Sequence, residues 1–241
     1  MEKGFPTAPP PGIRGNRRIL WQGRRLYLQE GTRITPLDTI SEVAALPGME
    51  RTVQWAVDLA LRRREEGLPL EEARRAPREV LAEGGQAGKD LHAFLVAYAQ
   101  GEAPPLPEGE EARARSFMAW WRARSPRLLA AEETVAHPEE RFGGRFDLLL
   151  EIGGKVVLLE AKRGRSSLKA HLQAGGYALA LEAWWGIRPD QGLVLELGPE
   201  RVREVEVNLK KARAAFLAAL TVYRFAQSIE EKEVKKCPAP T

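Results

Sequence analysis

The sequence predicts an α/β protein in which a mixed central sheet is flanked by helices and carries a helical N-terminal portion. Three observations predict this. Around and beyond residue 127 the apolar pattern runs helix, three strands, helix, two strands, helix, which is an α/β order. The strand-like runs are almost continuously apolar, as expected where both faces of a sheet are covered. The 241 residues suit one to two domains, and 44% hydrophobic with 29% charged residues places the chain among globular proteins.

The elements follow in order. Residues 1–15 are rich in Pro and Gly and are expected to be disordered or loosely attached. Residues 18–28 read as a hairpin, with Ile19, Trp21, Leu26 and Leu28 around a turn at Gln22-Gly23. Residues 34–65 read as helix in two pieces broken at Pro47-Gly48, and residues 70–82 as a further helix ended by Gly84-Gly85. Residues 87–100 form a helix with Leu91, Leu95 and Tyr98 on one face, and residues 109–124 another that carries Phe117, Trp120 and Trp121. The three strands are the runs LLAAEETV, GRFDLLLEI and KVVLLEAK. A helix over 166–186, strands QGLVLEL and VREVEV, and a closing amphipathic helix over 207–228 complete the chain. The expected division is an N-terminal hairpin and helical extension (1–83), a core (84–228) and a polar tail (229–241).

Composition excludes several function classes. Lys and Arg number 37 against 33 Asp and Glu, so the net charge is +4 and the pI about 9.3, which permits an anionic partner without requiring one. The single cysteine, Cys237, excludes an intramolecular disulfide, a cysteine-built zinc site and a four-cysteine iron–sulfur cluster. No stretch approaches the roughly 18 apolar residues of a membrane span, and the N-terminus has no apolar signal region. A cytoplasmic protein is expected.

The chemistry concentrates in Asp147, Glu160 and Lys162. Taken alone, the triplet also fits an exposed strand salt bridge. Register changes that. If Gly153-Gly154 is a two-residue turn, Ile152 pairs with Lys155, and Asp147 then falls directly opposite Glu160. Opposed side chains on neighbouring strands stand about 5 Å apart, so two carboxylates there repel unless a cation lies between them. Lys162, two residues beyond Glu160, shares that face, and Leu149, Val156 and Leu158 make its other end apolar. If Pro138–Arg141 is a four-residue loop, Glu132 joins the cluster from the preceding strand while Glu133 points away. Gln173 and Tyr177, one helical turn apart, read on spacing alone as rim and core. His92 likewise reads as a packed helical histidine.

The order Gly88…His92, Glu132, Gly144-Arg145-Phe146-Asp147, Glu160-Ala161-Lys162 and Gln173-x-x-x-Tyr177 resembles the PD-(D/E)XK nuclease superfamily, and within it the RecB-like exonuclease branch and its phage-type relatives. The resemblance covers about residues 84–228, and residues 34–57 are more loosely similar to the opening of the phage members. It implies a restriction-endonuclease-like core and a divalent-metal-dependent deoxyribonuclease. It casts His92, Asp147, Glu160 and the Ala161 carbonyl as metal ligands, with Glu132 an acidic position of variable role. Lys162 becomes the residue that orients water and stabilises charge, while Gln173 and Tyr177 support the site and contact nucleic acid. Ala161 departs from the aromatic or aliphatic residue common at its position, which is harmless if it faces the helix layer. The cluster-holding cysteines of some relatives are absent.

The implied cofactor is Mg²⁺ or Mn²⁺, since hard oxygen ligands suit both and an imidazole favours Mn²⁺. The implied partner is DNA, single-stranded or at duplex ends, with no membrane; a homo-oligomer or a recombination or repair protein are further expected partners. Residues 162–169 (KRGRSSLK) read equally as a phosphate site built from Arg163, Arg165 and Lys169 at a helix N-terminus and as a solvated basic loop. The paired tryptophans read as core packing rather than base stacking. An exonuclease or end-processing enzyme is the leading reading; a DNA endonuclease and a non-catalytic nucleic-acid-binding module are the alternatives.

Overall fold

A computed structural model describes residues 13–14 and 17–236. Most of the Pro- and Gly-rich opening, and Cys237, lie outside the described residues. The chain begins with β1 (Ile13–Arg14), β2 (Arg17–Gln22), β3 (Arg25–Glu30) and β4 (Arg33–Thr39), followed by α1 (Ile40–Ala45), a 3-10 turn (Leu46–Gly48) and α2 (Met49–Glu65). Two long helices, α3 (Leu70–Ala99) and α4 (Glu111–Arg124), lead to β5 (Arg127–Ala131), β6 (Thr134–His137), β7 (Phe142–Arg145), β8 (Leu148–Ile152) and β9 (Lys155–Lys162). Then come α5 (Leu168–Trp185), β10 (Gln191–Leu197), β11 (Val202–Val207) and α6 (Leu209–Lys236). Among the described residues no helix is long and apolar enough to cross a membrane.

The α/β class and the mixed sheet flanked by helices are observed. A five-stranded sheet in the order β11-β10-β9-β8-β5 is antiparallel except where β9 and β10 run parallel across the α5 connection. One face packs on α3 and α4 through Leu91, Phe94, Leu95 and Phe117 against Leu148, Leu150, Val157 and Leu159. The other face, with Leu149 and Leu158, packs on α5, backed by α6. Helix α5 is buried along most of its length, from Ala170 to Trp184. At Gly175 it crosses α6 so closely that a Cβ would lie 2.3 Å from the Ala212 carbonyl oxygen, so no side chain fits there.

Four expectations are corrected. Residues 33–39 are strand rather than helix: Ile34, Thr35 and Thr39 are β-branched, and Pro36 is tolerated because β7 pairs with β4 only from Asp38 onward. The first hairpin turns at Gly23-Arg24, one residue later than expected, since Gln22 pairs with Arg25. Gly84-Gly85 does not end a helix; α3 runs unbroken through it, and the expected boundary at residue 83 falls inside that helix. Two glycines cost about 1 kcal/mol each in a helix interior, less than the burial of Leu91, Phe94 and Leu95 recovers. Helix α6 continues past residue 228 to Lys236.

The largest departure is that the strands expected over 128–135 and 144–152 each break in two and belong to two sheets. β6 and β7 join β1–β4 in a six-stranded sheet of order β1-β2-β3-β4-β7-β6, while β5 and β8 stay in the five-stranded one. Both breaks come at one level. Glu132 adopts a left-handed φ of 53°, its N–H bonds the Asp147 carbonyl at 2.9 Å, and the Phe146 N–H bonds the Glu133 carbonyl at 3.2 Å. The two acids therefore sit where the chain passes from one sheet to the other. The fully buried Phe146 pins this crossing edge-on against Trp185, with centroids 5.7 Å apart.

Candidate active site

The second hairpin has the expected register. Gly153 and Gly154, with φ of 57° and 76°, form its turn, and pairing runs from Ile152 with Lys155 to Leu148 with Leu159. Asp147 comes next and leaves the strand, but its Oδ2 accepts the Ala161 N–H at 2.8 Å. Its carboxylate thus stays beside Glu160. Both line one cleft of about 1420 Å³ between α3, the β2–β3 hairpin and the start of α5. His137 pairs with Phe142 across the four-residue loop, and Glu132 reaches the same cleft.

Helix α3 closes the site. His92 hydrogen-bonds Asp147, with Nε2 2.9 Å from Oδ1, and its Nδ1 lies 3.2 Å from Glu132 Oε1. One ligand atom from each of these three residues falls within 4.8 Å of the others, a group able to hold a metal ion. Arg145 Nε meets the other Glu132 oxygen at 2.7 Å. Glu160, only 3% exposed, pairs instead with Lys162, whose Nζ lies 2.6 Å from its Oε1.

Charge in this pocket is heavily perturbed. Burial and the neighbouring Asp147 push the Glu160 carboxyl up to about 7, against the opposing pull of Lys162. Burial alone would lower the His92 imidazole, but its hydrogen bond to Asp147 and the charges of Asp147, Glu132 and Glu160 outweigh this and raise it to about 9. Burial also raises Glu132, against His92 and Arg145. Lys162 is lowered by burial and raised more by Glu160 and Asp147, so it stays an ammonium. Burial, reinforced by Lys162, lowers Lys169. Burial lifts the Tyr177 hydroxyl well above its ordinary range, with Glu160 and Asp147 adding to the effect.

The donor set fits a hard divalent cation. It offers carboxylate oxygens and an imidazole at close range, and it leaves one buried acceptor unused: Gln173 Oε1 has no hydrogen-bond partner although the residue is 6% exposed and lines the cleft. Gln173 hydrogen-bonds the Tyr177 hydroxyl, and the Tyr177 ring lies against Gly144, where a Cβ would come within 3.1 Å of it.

The structure thus brings His92, Glu132, Asp147, Glu160, Ala161, Lys162, Arg163, Lys169, Gln173 and Tyr177 to one cleft. The Ala161 side chain faces the α3–α4 layer, where its small size is accommodated. Arg163 is tied by Nε to the buried Glu110 at 2.7 Å. Arg165 is not brought in; it lies with Glu196, Arg201 and Arg203 beside the β10–β11 connection. Trp120, Trp121, Trp184 and Trp185 pack against the cores. Among the cleft residues that escaped the sequence reading are Arg24 and Lys89, charges of the wall, and Trp21, read there only as a β-former. An aromatic and an arginine flanking a tight turn was the available signal.

The family model of the PD-(D/E)XK nuclease superfamily matches residues 56–240, most of the chain. The chain belongs to the PD-(D/E)XK nuclease superfamily. Membership implies nuclease activity dependent on divalent metal, and the His92–Glu132–Asp147 group is a candidate site for that metal. No curated protein matches the chain. Among solved structures it is similar to one titled "Crystal structure of SSO0001", at 14% identity and a TM-score of 0.39 over 79% of each chain. It is also similar to LHK-Exo in complex with dAMP, at 14% identity and a TM-score of 0.29 over 83% of this chain and 95% of that one. Both likenesses are remote, and the superfamily assignment rests on the family model.

Proposed function

We propose that the protein is a deoxyribonuclease of the RecB-like exonuclease branch, hydrolysing phosphodiester bonds at DNA ends in recombination or repair. The observation that carries this reading is the juxtaposition of Asp147 and Glu160 at the floor of a cleft, with Lys162 on the same face and His92 and Glu132 beside them. His92, Asp147, Glu160 and the Ala161 carbonyl, with Glu132, are the residues assigned to hold Mg²⁺ or Mn²⁺. Bound there, such an ion would supply Lewis-acid polarisation of a phosphate and a lowered pKa for a water.

The remaining roles belong to the chain itself. Asp147 is locked in orientation by the Ala161 N–H and His92. Lys162 keeps its positive charge because two carboxylates face it, so it serves as an electrostatic stabiliser of the phosphate rather than as a neutral base. Tyr177 fixes the Gln173 amide, whose Oε1 is left without a partner beside the cleft. Lys169 draws the phosphate backbone toward the floor.

The test is incubation of the pure protein with end-labelled linear duplex, single-stranded and closed circular DNA, with Mn²⁺, Mg²⁺ or EDTA. The expected result is metal-dependent loss of linear substrates from their ends with circles intact. Cut circles would make it an endonuclease, and binding without cleavage under every metal would make it a non-catalytic binding module.

A further inference from the structure

Trp21 differs from the tryptophans packed into the cores. Trp120, Trp121 and Trp185 are partly buried against core clusters and Trp184 is fully buried, whereas Trp21 is 45% exposed and stands in the cleft wall. An indole left half in water in the wall of this cleft keeps apolar ring surface available to an occupant.

The ring is also held. Its Nε1 donates to Thr134 Oγ1 at 3.2 Å, across to β6, and its backbone pairs with Leu26, which is 1% exposed in the core. A side chain anchored at one edge and open on its surface loses little freedom when a flat group stacks on it. Arg24, in the turn that follows, lines the same wall. The α3 wall carries Gly85, Gly88, Ala93 and Ala97 beside His92, Val96 and Gln100, and Lys89 adds positive charge. The acidic floor lies between the walls. An aromatic surface beside cations is the arrangement that takes single-stranded nucleic acid, the base on the ring and the phosphates on the charges.

We propose that Trp21 is a base-stacking platform for an unpaired nucleotide of the DNA strand lying in the cleft, with Arg24 on the adjoining phosphate. The proposal rests on the nuclease reading and deepens it: the substrate at this wall is single-stranded. A base inside a duplex has both faces covered by its neighbours and offers none to the ring.

The experiment measures binding of the full-length protein, in EDTA to prevent cleavage, to fluorescein-labelled oligothymidylate and to a strand of equal length carrying abasic sugars in place of its bases. Stacking is expected to make the wild-type protein prefer the thymidylate strand by about 5- to 150-fold. Trp21→Ala should lose that preference while keeping its affinity for the abasic strand, and Trp21→Phe should keep most of it. Equal wild-type binding of the two strands overturns the proposal without any variant, so a poorly folding Trp21→Ala cannot shield it. A preference that survives in a folded Trp21→Ala overturns it as well. Cleavage of the same thymidylate strand by the wild-type protein with Mn²⁺ reports separately: cleavage without base preference removes the stacking role alone, and base preference lost on Trp21→Ala without cleavage supports the platform while removing the nuclease reading.

Discussion

Glu160 and Glu196 stand on neighbouring strands, two residues apart in the parallel register of β9 and β10, and each exposes little surface to solvent, 3% and 6%. Their chemistry is opposite. The Glu160 carboxyl is pushed up to about 7 by burial and by Asp147. The Glu196 carboxyl is held at about 2 by Arg203, against the cost of burial, with the Ser166 N–H adding to the pull. Glu196 accepts from Arg203 Nε and from the Ser166 N–H, both at 2.6 Å, so its charge is matched. Glu160 pairs with Lys162 and feels His92 more weakly, while a second carboxylate, Asp147, faces it. Burial raises both carboxyls; at Glu196 the Arg203 and Ser166 donors outweigh it, whereas at Glu160 burial and Asp147 together outweigh Lys162.

The sharpest consequence concerns activity. Glu160→Gln and Lys162→Ala should each lower metal-dependent cleavage by at least about 100-fold, as removal of a charge aimed at a reacting phosphate does, while DNA binding in EDTA persists. Glu196→Gln should retain most activity. A radiolabelled end-release assay reads all three, and equal losses at Glu160 and Glu196 would erase the contrast.

Metal binding should come next in size. His92 is raised to about 9 and Glu160 to about 7, so both hold protons that a ligated cation must displace. Affinity for Mn²⁺ should therefore rise with pH between about 7 and 9, with protons released on binding. Calorimetry in buffers of different ionisation enthalpy measures this, and His92→Ala should flatten the upper part of the rise.

Stability should respond with opposite signs. A carboxylate whose folded pKa lies below its ordinary value stabilises the fold above about pH 4.5 and loses that contribution as pH falls toward 2. Glu196→Gln should thus cost about 1–2 kcal/mol at pH 7 and remove part of the acid dependence below pH 4.5. A raised carboxyl works the other way, lowering stability as pH rises from about 4.5 through 7. Glu160→Gln should therefore stabilise the protein in EDTA at pH 8, by on the order of 1–3 kcal/mol, and change little at pH 4. Thermal melts at the two pH values separate the cases.

The smallest effects are expected in the basic loop. Lys169→Ala should weaken DNA binding several-fold and reduce its salt dependence, since Lys169 lines the cleft. Arg165→Ala, beside Arg201 and Arg203 instead, should change binding by less than about twofold.

Much of the site was legible because hairpin register is local. A Gly-Gly turn sets the pairing of its strands, and a period of two then carries the side chains, so Asp147, Glu160 and Lys162 could be placed on one face from spacing. The second register placed Glu132 there as well, although the strand it belongs to breaks at that residue. His92 could not be placed by spacing. It lies 40 residues before Glu132, and only the packing of Leu91, Phe94 and Leu95 on the sheet turns the imidazole toward the acids. Arg163 and Arg165 looked alike in the sequence, yet Glu110 holds one at the cleft and the other lies with the Glu196 group.

The sequence by itself determined the α/β order, the turn at Gly153-Gly154 and the shared face of the acids and the lysine, because these follow from short-range periodicity and turn chemistry. The tertiary structure alone decided that two strands split between two sheets at Glu132 and Asp147, that Trp21 overhangs the cleft, and that Glu160 and Glu196 differ in proton affinity. Each of these depends on which distant groups packing brings within a few ångströms, and neither side-chain periodicity nor composition carries that information.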